Sequence, residues 1–260
     1  MYDRRQLAER LQRALLRQRW SEVRAVAEQL RTAGSNDGAA WRRLLMPFLA
    51  TKDRTVIRPT TMATTSGQQR FRLWIDAVGG FLVCLGDEIV LGQAASENSP
   101  DVPILGDLSR RHALIHRDEE GYVIDPVRMV KVDGRAIERP TTLADGRVIE
   151  LGNGVRLRFR RPHPLSFTAR LELMSPHRTL PALDGVLLMA DSCIVGPGPQ
   201  SHVVARDLAG DVVLFRQGTG LACRTAGQMR IDGKGHEGRG PLTAKSRVEG
   251  SDFAFTLEEC

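Results

Sequence analysis

Ser109, Arg110 and Arg111 stand side by side in the run Asp107-Leu108-Ser109-Arg110-Arg111-His112-Ala113-Leu114-Ile115. They bring one hydroxyl and two guanidinium groups to a single short loop. His112 follows as a brace, and the apolar residues after it read as a strand. Donors of this kind, held on a rigid strand edge, make a site for a doubly charged phosphate. Gly92-Gln93 lies 20 residues before His112, and Arg128 lies beyond it in Pro126-Val127-Arg128-Met129; the Asp133-Gly134 turn comes next. Other chemistry fares worse. His112 and His116 have a zinc-like spacing, but on a strand beside Arg110, Arg111 and Arg117, a poor setting for a cation. Ser201-His202 with Asp207 lacks a Gly-x-Ser-x-Gly elbow, and Gly196-Pro-Gly-Pro lacks the Gly-Lys-Ser/Thr ending of a nucleotide loop. The four cysteines contain no Cys-x-x-Cys pair. Binding is expected, with no cofactor, no metal and no enzyme activity.

The elements that must hold these residues are strands. Phe71, Leu73 and Ile75 alternate; Phe81-Leu82-Val83 and Ile89-Val90-Leu91 follow as short runs. Gly79-Gly80, Gly86-Asp87, Glu120-Gly121, Asp133-Gly134, Asp145-Gly146 and Asn153-Gly154 punctuate the same texture up to about Arg161, and Pro162-His163-Pro164 closes it. Many short strands with glycine turns predict a sandwich or barrel over 70–162.

Ser-x-x-His at 109–112, Gly92 upstream and Asp133-Gly134 downstream resemble the forkhead-associated (FHA) domain. The resemblance implies a β-sandwich whose loops bind phosphothreonine peptides. It implies that Ser109 and Arg110 contact the phosphate, with Arg111, Gln93 and Arg128 as secondary contacts. It also implies that Gly92, His112, Asp133 and Gly134 support the site. Two positions depart from the family. Gln93 stands where an arginine is usual, replacing a charge-assisted hydrogen bond of ~1.5–3 kcal/mol by a neutral one of about 1. Arg128 falls near the usual loop asparagine.

A second copy follows over 166–259. Gly80-Phe-Leu-Val matches Gly185-Val-Leu-Leu, and Asp87–Gly92 matches Asp191–Gly196. Val130–Arg135 matches Met229–Lys234, and Leu143 and Leu242 each lie ten residues beyond their aspartates, Asp133 and Asp232. Gly196 to His202 is only 6 residues against 20 from Gly92 to His112, so the second copy lacks the loop that would surround a phosphate and reads as degenerate. The predicted fold is therefore mainly β, two tandem FHA-like sandwiches after a small helical element.

That element occupies 1–50. Leu7, Leu11, Ala14 and Leu15, then Val23, Val26, Ala27 and Leu30, recur at helical spacing. Residues 1–58 hold 13 Lys+Arg against 6 Asp+Glu; the totals of 37 and 31 leave 24 against 25 for the rest. The β-rich body thus has no broad positive field, and nucleic acid is not an expected partner. A Thr-rich linker spans 51–69, and its Thr64-Thr65-Ser66 resembles the Thr pair in the N-terminal tail of some bacterial FHA proteins, a resemblance that implies self-interaction with the phosphate site once phosphorylated. No apolar run reaches membrane-spanning length, and a cytoplasmic location is expected. The function that the FHA resemblance implies is a phosphothreonine-peptide-binding module in Ser/Thr kinase signalling, its partners phosphothreonine proteins or Ser/Thr kinases. The alternative is a phosphate-independent assembly scaffold built from paired sandwiches.

Overall fold

The computed structural model describes residues 70–260 apart from Asn98, Glu119 and Thr219; these belong to the compact unit Ser66–Cys260. The helices expected over 1–50 and the linker over 51–69 lie outside the described residues. The described chain is mainly β. Its first eleven strands are β1 (Arg70–Ile75), β2 (Gly79–Cys84), β3 (Glu88–Gln93), β4 (Val102–Leu105), β5 (Ala113–Arg117), β6 (Tyr122–Pro126), β7 (Val130–Val132), β8 (Arg135–Ile137), β9 (Thr141–Thr142), β10 (Val148–Leu151) and β11 (Val155–Arg160). Then come β12 (Ala169–Leu173), β13 (Arg178–Thr179), β14 (Gly185–Leu188), β15 (Ser192–Gly196), β16 (Val203–Val204), β17 (Val212–Gln217), β18 (Gly220–Ile231), β19 (Lys234–Leu242), β20 (Arg247–Glu249) and β21 (Ala254–Glu259).

Alternation places the strands as expected: in β1, Phe71, Leu73 and Ile75 are buried and the residues between them are half-buried. The turn after β7 needs left-handed backbone at both central residues. Asp133 and Gly134 supply it at φ 49° and 77°, and Asp232 and Gly233 repeat it at 51° and 80°. The hydrogen bonds recur too. Asp133 N–H donates to Val148 O at 2.8 Å and its carboxylate accepts from Val148 N–H at 2.9 Å; Asp232 and Arg247 do the same at 2.9 and 2.8 Å.

Two sheets enclose the first core. One has the order β13-β4-β3-β5-β6-β9; facing it is the β2-β14-β12-β11-β10-β7-β8 stretch of a larger sheet. That larger sheet continues through β1 and β21 to β20, β18, β17, β15 and β16, and these strands surround a second core. A bulge between Arg224 and Gln228 bends β18, which pairs with β17 before it and β20 after it.

The chain does not divide into the successive sandwiches that its order predicts. β1 pairs with the last strand, β21, and β12 pairs with β11. Each half's opening hairpin is thus laid on the closing strand of the other half. The side chains record the exchange. Phe71, Leu73 and Ile75 fill the second core, whereas Ala169, Leu171, Val186 and Leu188 fill the first. β2 and β14 run parallel in the middle, apolar on both faces. Leu82 and Cys84 face the first core, and their counterparts Leu187 and Met189 face the second; Phe81 and Val83 face the second, and Val186 and Leu188 the first. The turn after β2 is held from both sides: Arg117 Nη2 donates to Gly86 O at 3.3 Å and Arg216 Nη1 to Leu85 O at 3.0 Å.

Burying a Val or Leu side chain is worth ~1.5–3 kcal/mol. Losing Leu171, Val186 and Leu188 together therefore removes an amount comparable to the whole ~5–15 kcal/mol stability of a domain. A fragment of residues 70–162 is expected to show no cooperative thermal transition as a monomer, while 70–260 melts cooperatively. A monomeric 70–162 fragment with a sharp melt by circular dichroism would contradict the shared core.

Candidate functional site

Three loops and a turn meet at His112. Its backbone N–H donates to Leu91 O at 2.9 Å, and its carbonyl accepts from the N–H groups of Val127 (3.1 Å) and Arg128 (2.9 Å). Ser109 N–H donates to its Nδ1 at 3.2 Å, and its Nε2 lies 3.0 Å from the Met129 carbonyl. A carbonyl only accepts, so Nε2 carries the proton and Nδ1 is left to accept; one tautomer satisfies both contacts. Gly152, at φ 52°, completes the cluster. Its N–H donates to the same Met129 carbonyl at 3.1 Å, and a Cβ there would stand 3.3 Å from His112 Cε1.

This joint fixes the loop that carries Ser109 and Arg110. Gln93 N–H donates to Ser109 O at 3.0 Å. The loop crosses Gly92 so closely that a Cβ would fall on the Arg110 carbonyl oxygen and 2.7 Å from Ser109 O. Only glycine leaves room for that crossing. Arg110, Arg128 and Gln93 are exposed and Ser109 is half-buried. Neither guanidinium forms an ion pair, and the Ser109 hydroxyl makes no hydrogen bond, among the described residues. Donors with no internal partner on a fixed loop suit capture of an oxyanion.

Three of the expected residues, Arg111, Asp133 and Gly134, lie apart from this cluster. Arg111 Nη2 is 3.2 Å from Glu88 Oε1, and Glu88 opens β3 whereas Gln93 closes it. Asp133-Gly134 sits at the far end of β7 from Arg128. The Val148 N–H and then Arg147 hold the Asp133 carboxyl below its ordinary range, in a contact that braces β7 against β10. The Met129 carbonyl and Gly152, both essential to the joint, were not evident in sequence. The Asn153-Gly154 turn signal lies beside Gly152 but says nothing of its packing under His112.

The corresponding place in the second half is built differently. A Cβ on Gly196 would fall on an Asp211 carboxylate oxygen and 3.2 Å from Ser201 Oγ. A carboxylate in that position opposes an anion. His202 is fully buried; its Nδ1 accepts from Ile194 N–H at 2.9 Å, and its Nε2 has no hydrogen-bond partner among the described residues. Burial, and then His163 stacked beside it, push its pKa down to about 4.

A β-sandwich edge whose loops carry a hydroxyl and two guanidinium groups with no ion pair among the described residues has the chemistry to hold an anionic ligand. Residues 89–152, from β3 to Gly152, match the family model of the FHA domain. That segment is an FHA domain, and the family is one of phosphopeptide-binding interaction modules. Among solved structures, the FHA-2 domain of a Mycobacterium tuberculosis ABC transporter, an NMR-based structure, matches at 22% identity. The match covers 49% of this chain and 94% of that one, at a TM-score of 0.26. Among curated proteins, none matches the chain.

Two outcomes test the geometry. Gly92→Ala is expected to cost ~1–3 kcal/mol through overpacking and to speed hydrogen exchange at the Ser109–Arg111 amides; unchanged melting and exchange would contradict the crossing. His202 binds its proton in the unfolded chain near pH 6.5 but only near pH 4 when folded, so stability falls as pH drops through that window. At pH 5 the loss is ~2 kcal/mol relative to pH 7. Urea melts should show His202→Gln flattening that slope; an equal slope in the variant would refute the assignment.

Proposed function

We propose that the first β core and its loops form a phosphothreonine-peptide receptor, with Ser109 and Arg110 holding the phosphate and Gln93 and Arg128 assisting. The observation that carries this reading is the His112 joint, which fixes Ser109 and Arg110 while leaving the hydroxyl and guanidinium without hydrogen-bond or ion-pair partners among the described residues. The Arg128 N–H is tied to the His112 carbonyl, so its side chain starts from a fixed point and can restore charge that Gln93 lacks. Arg111 is a weaker contributor because Glu88 already holds it.

Residues 166–259 act in this reading as a degenerate copy: the short Gly196–His202 link and the Asp211 carboxylate argue against a second phosphate site there. Partners would be Ser/Thr-phosphorylated proteins, the kinases that make them, or the chain's own 51–69 segment once phosphorylated. A phosphate-independent scaffold is the second reading. It is favoured by the strand pairing that joins the two halves into one continuous sheet.

Titrating a degenerate phosphothreonine library against wild type, Arg110→Ala and Ser109→Ala separates the two. The phosphate reading predicts ~10-fold or greater weakening for Arg110→Ala and a clear loss for Ser109→Ala. Equal binding of phosphorylated and bare peptides would leave only the scaffold.

A further inference from the structure

β13, a two-residue strand supplied by the second half, lies on the edge of the sheet that carries the phosphate loop. Arg178 pairs with Leu105 and Thr179 with Ile104, on the open side of β4. The segment is firmly anchored. Leu180 N–H donates to Pro103 O at 2.9 Å, Thr179 Oγ1 donates to Pro181 O at 2.7 Å, and Leu183 N–H donates to Thr179 Oγ1 at 3.1 Å. His177 packs on Gly106, at the root of the loop that leads to Ser109; a Cβ on Gly106 would meet its ring at 3.1 Å.

The register decides which face this edge shares with the site. Gln93 and Thr179 both pair with Ile104, so they are two strand spacings, about 10 Å, apart. Gly92 pairs with Pro103, two residues from Leu105. Side chains alternate along a strand, so Leu105 and its partner Arg178 lie on the same face as Gly92. That is the face that the Ser109–Arg110 loop crosses. Leu105, at the end of β4, is 49% exposed, and Leu180, the residue just past β13, is 51% exposed. Arg178 is exposed and forms no ion pair among the described residues; the one carboxylate carried by the loop between Leu105 and Ser109 is the exposed Asp107.

We infer that the peptide-recognition surface continues from the phosphate loop across Leu105 of β4 to β13 and the Leu180 that follows it, where the two leucines seat an apolar side chain of the ligand and Arg178 receives a second negative charge. This rests on the phosphopeptide reading and deepens it. The occupant is the phosphothreonine peptide itself, since the exposed Leu105 and Arg178, which forms no ion pair among the described residues, lie on the face that the Ser109–Arg110 loop crosses. The second half thereby becomes part of the receptor's specificity without holding a phosphate of its own.

The test is a degenerate phosphothreonine library sorted on the full chain and on Leu180→Ser, Leu105→Ser and Arg178→Ser, with a bare-threonine library as control. Wild type should enrich an apolar residue at one fixed distance from the phosphothreonine. Leu180→Ser or Leu105→Ser should reduce that preference about 10-fold while dependence on phosphate persists. Arg178→Ser should abolish a preference for an acidic side chain. All three residues are exposed, and matching thermal melts would verify folding. Phosphate-dependent binding with the same profile in all variants would overturn the β13 surface and leave the phosphate site standing. Binding that ignores phosphate in wild type would sink both.

Discussion

The parallel pairing of β2 with β14 is the constraint from which the rest of the molecule follows. Both strands are apolar on both faces, and each face looks into a different core. Gly185 lies opposite Phe81, and a Cβ there would already stand 3.3 Å from the Phe81 ring, so the register is set by one large side chain meeting none. A slip by one residue would turn every side chain to the wrong core. Such a pair has no solvent-facing side. It is stable only where two layers of β-structure can cover it, and the exchange of opening hairpins between the halves provides them.

This arrangement also explains how a loop edge can be rigid. The His112 joint gathers Leu91, Ser109, Val127, Arg128 and Met129 by backbone and imidazole hydrogen bonds, and it stands on strands whose core is completed by Leu171, Val186 and Leu188 from the other half. Recognition groups on loops need such a scaffold, because order already present in the free protein is not charged against binding. The excursion between β12 and β14 follows from the same crossing. Having paired with β11, the chain must return to β2, and on the way it lays β13 on the free edge of β4.

Much of this was legible in the sequence. Period-two alternation located β1, short apolar runs located β2 and β3, and Asp-Gly pairs marked turns that do adopt left-handed backbone. Ser-x-x-His and Gly92 drew attention to His112, but nothing in the sequence pointed to the Met129 carbonyl and Gly152 that hold its ring. The exchange was not legible, because two halves with one pattern offer each hairpin two equivalent closing strands and local sequence does not choose between them. A signal was nevertheless present. Gly-Phe-Leu-Val-Cys and Gly-Val-Leu-Leu-Met are continuous apolar runs without alternation, the mark of strands buried on both faces. Arg111 was grouped with the site by adjacency, but its long side chain reaches Glu88 and leaves the loop. β13 gave no strand pattern, since two residues beside a proline cannot show one.

The central claim is that the His112-braced loop is a phosphate receptor. Its most direct test is the backbone amide NMR spectrum of the full chain titrated with N-acetyl phosphothreonine amide, with the unphosphorylated compound as reference. The account predicts saturable shifts at Ser109, Arg110 and Arg128 that the reference compound does not produce. Shifts that skip these amides, or identical responses to both compounds, would contradict it.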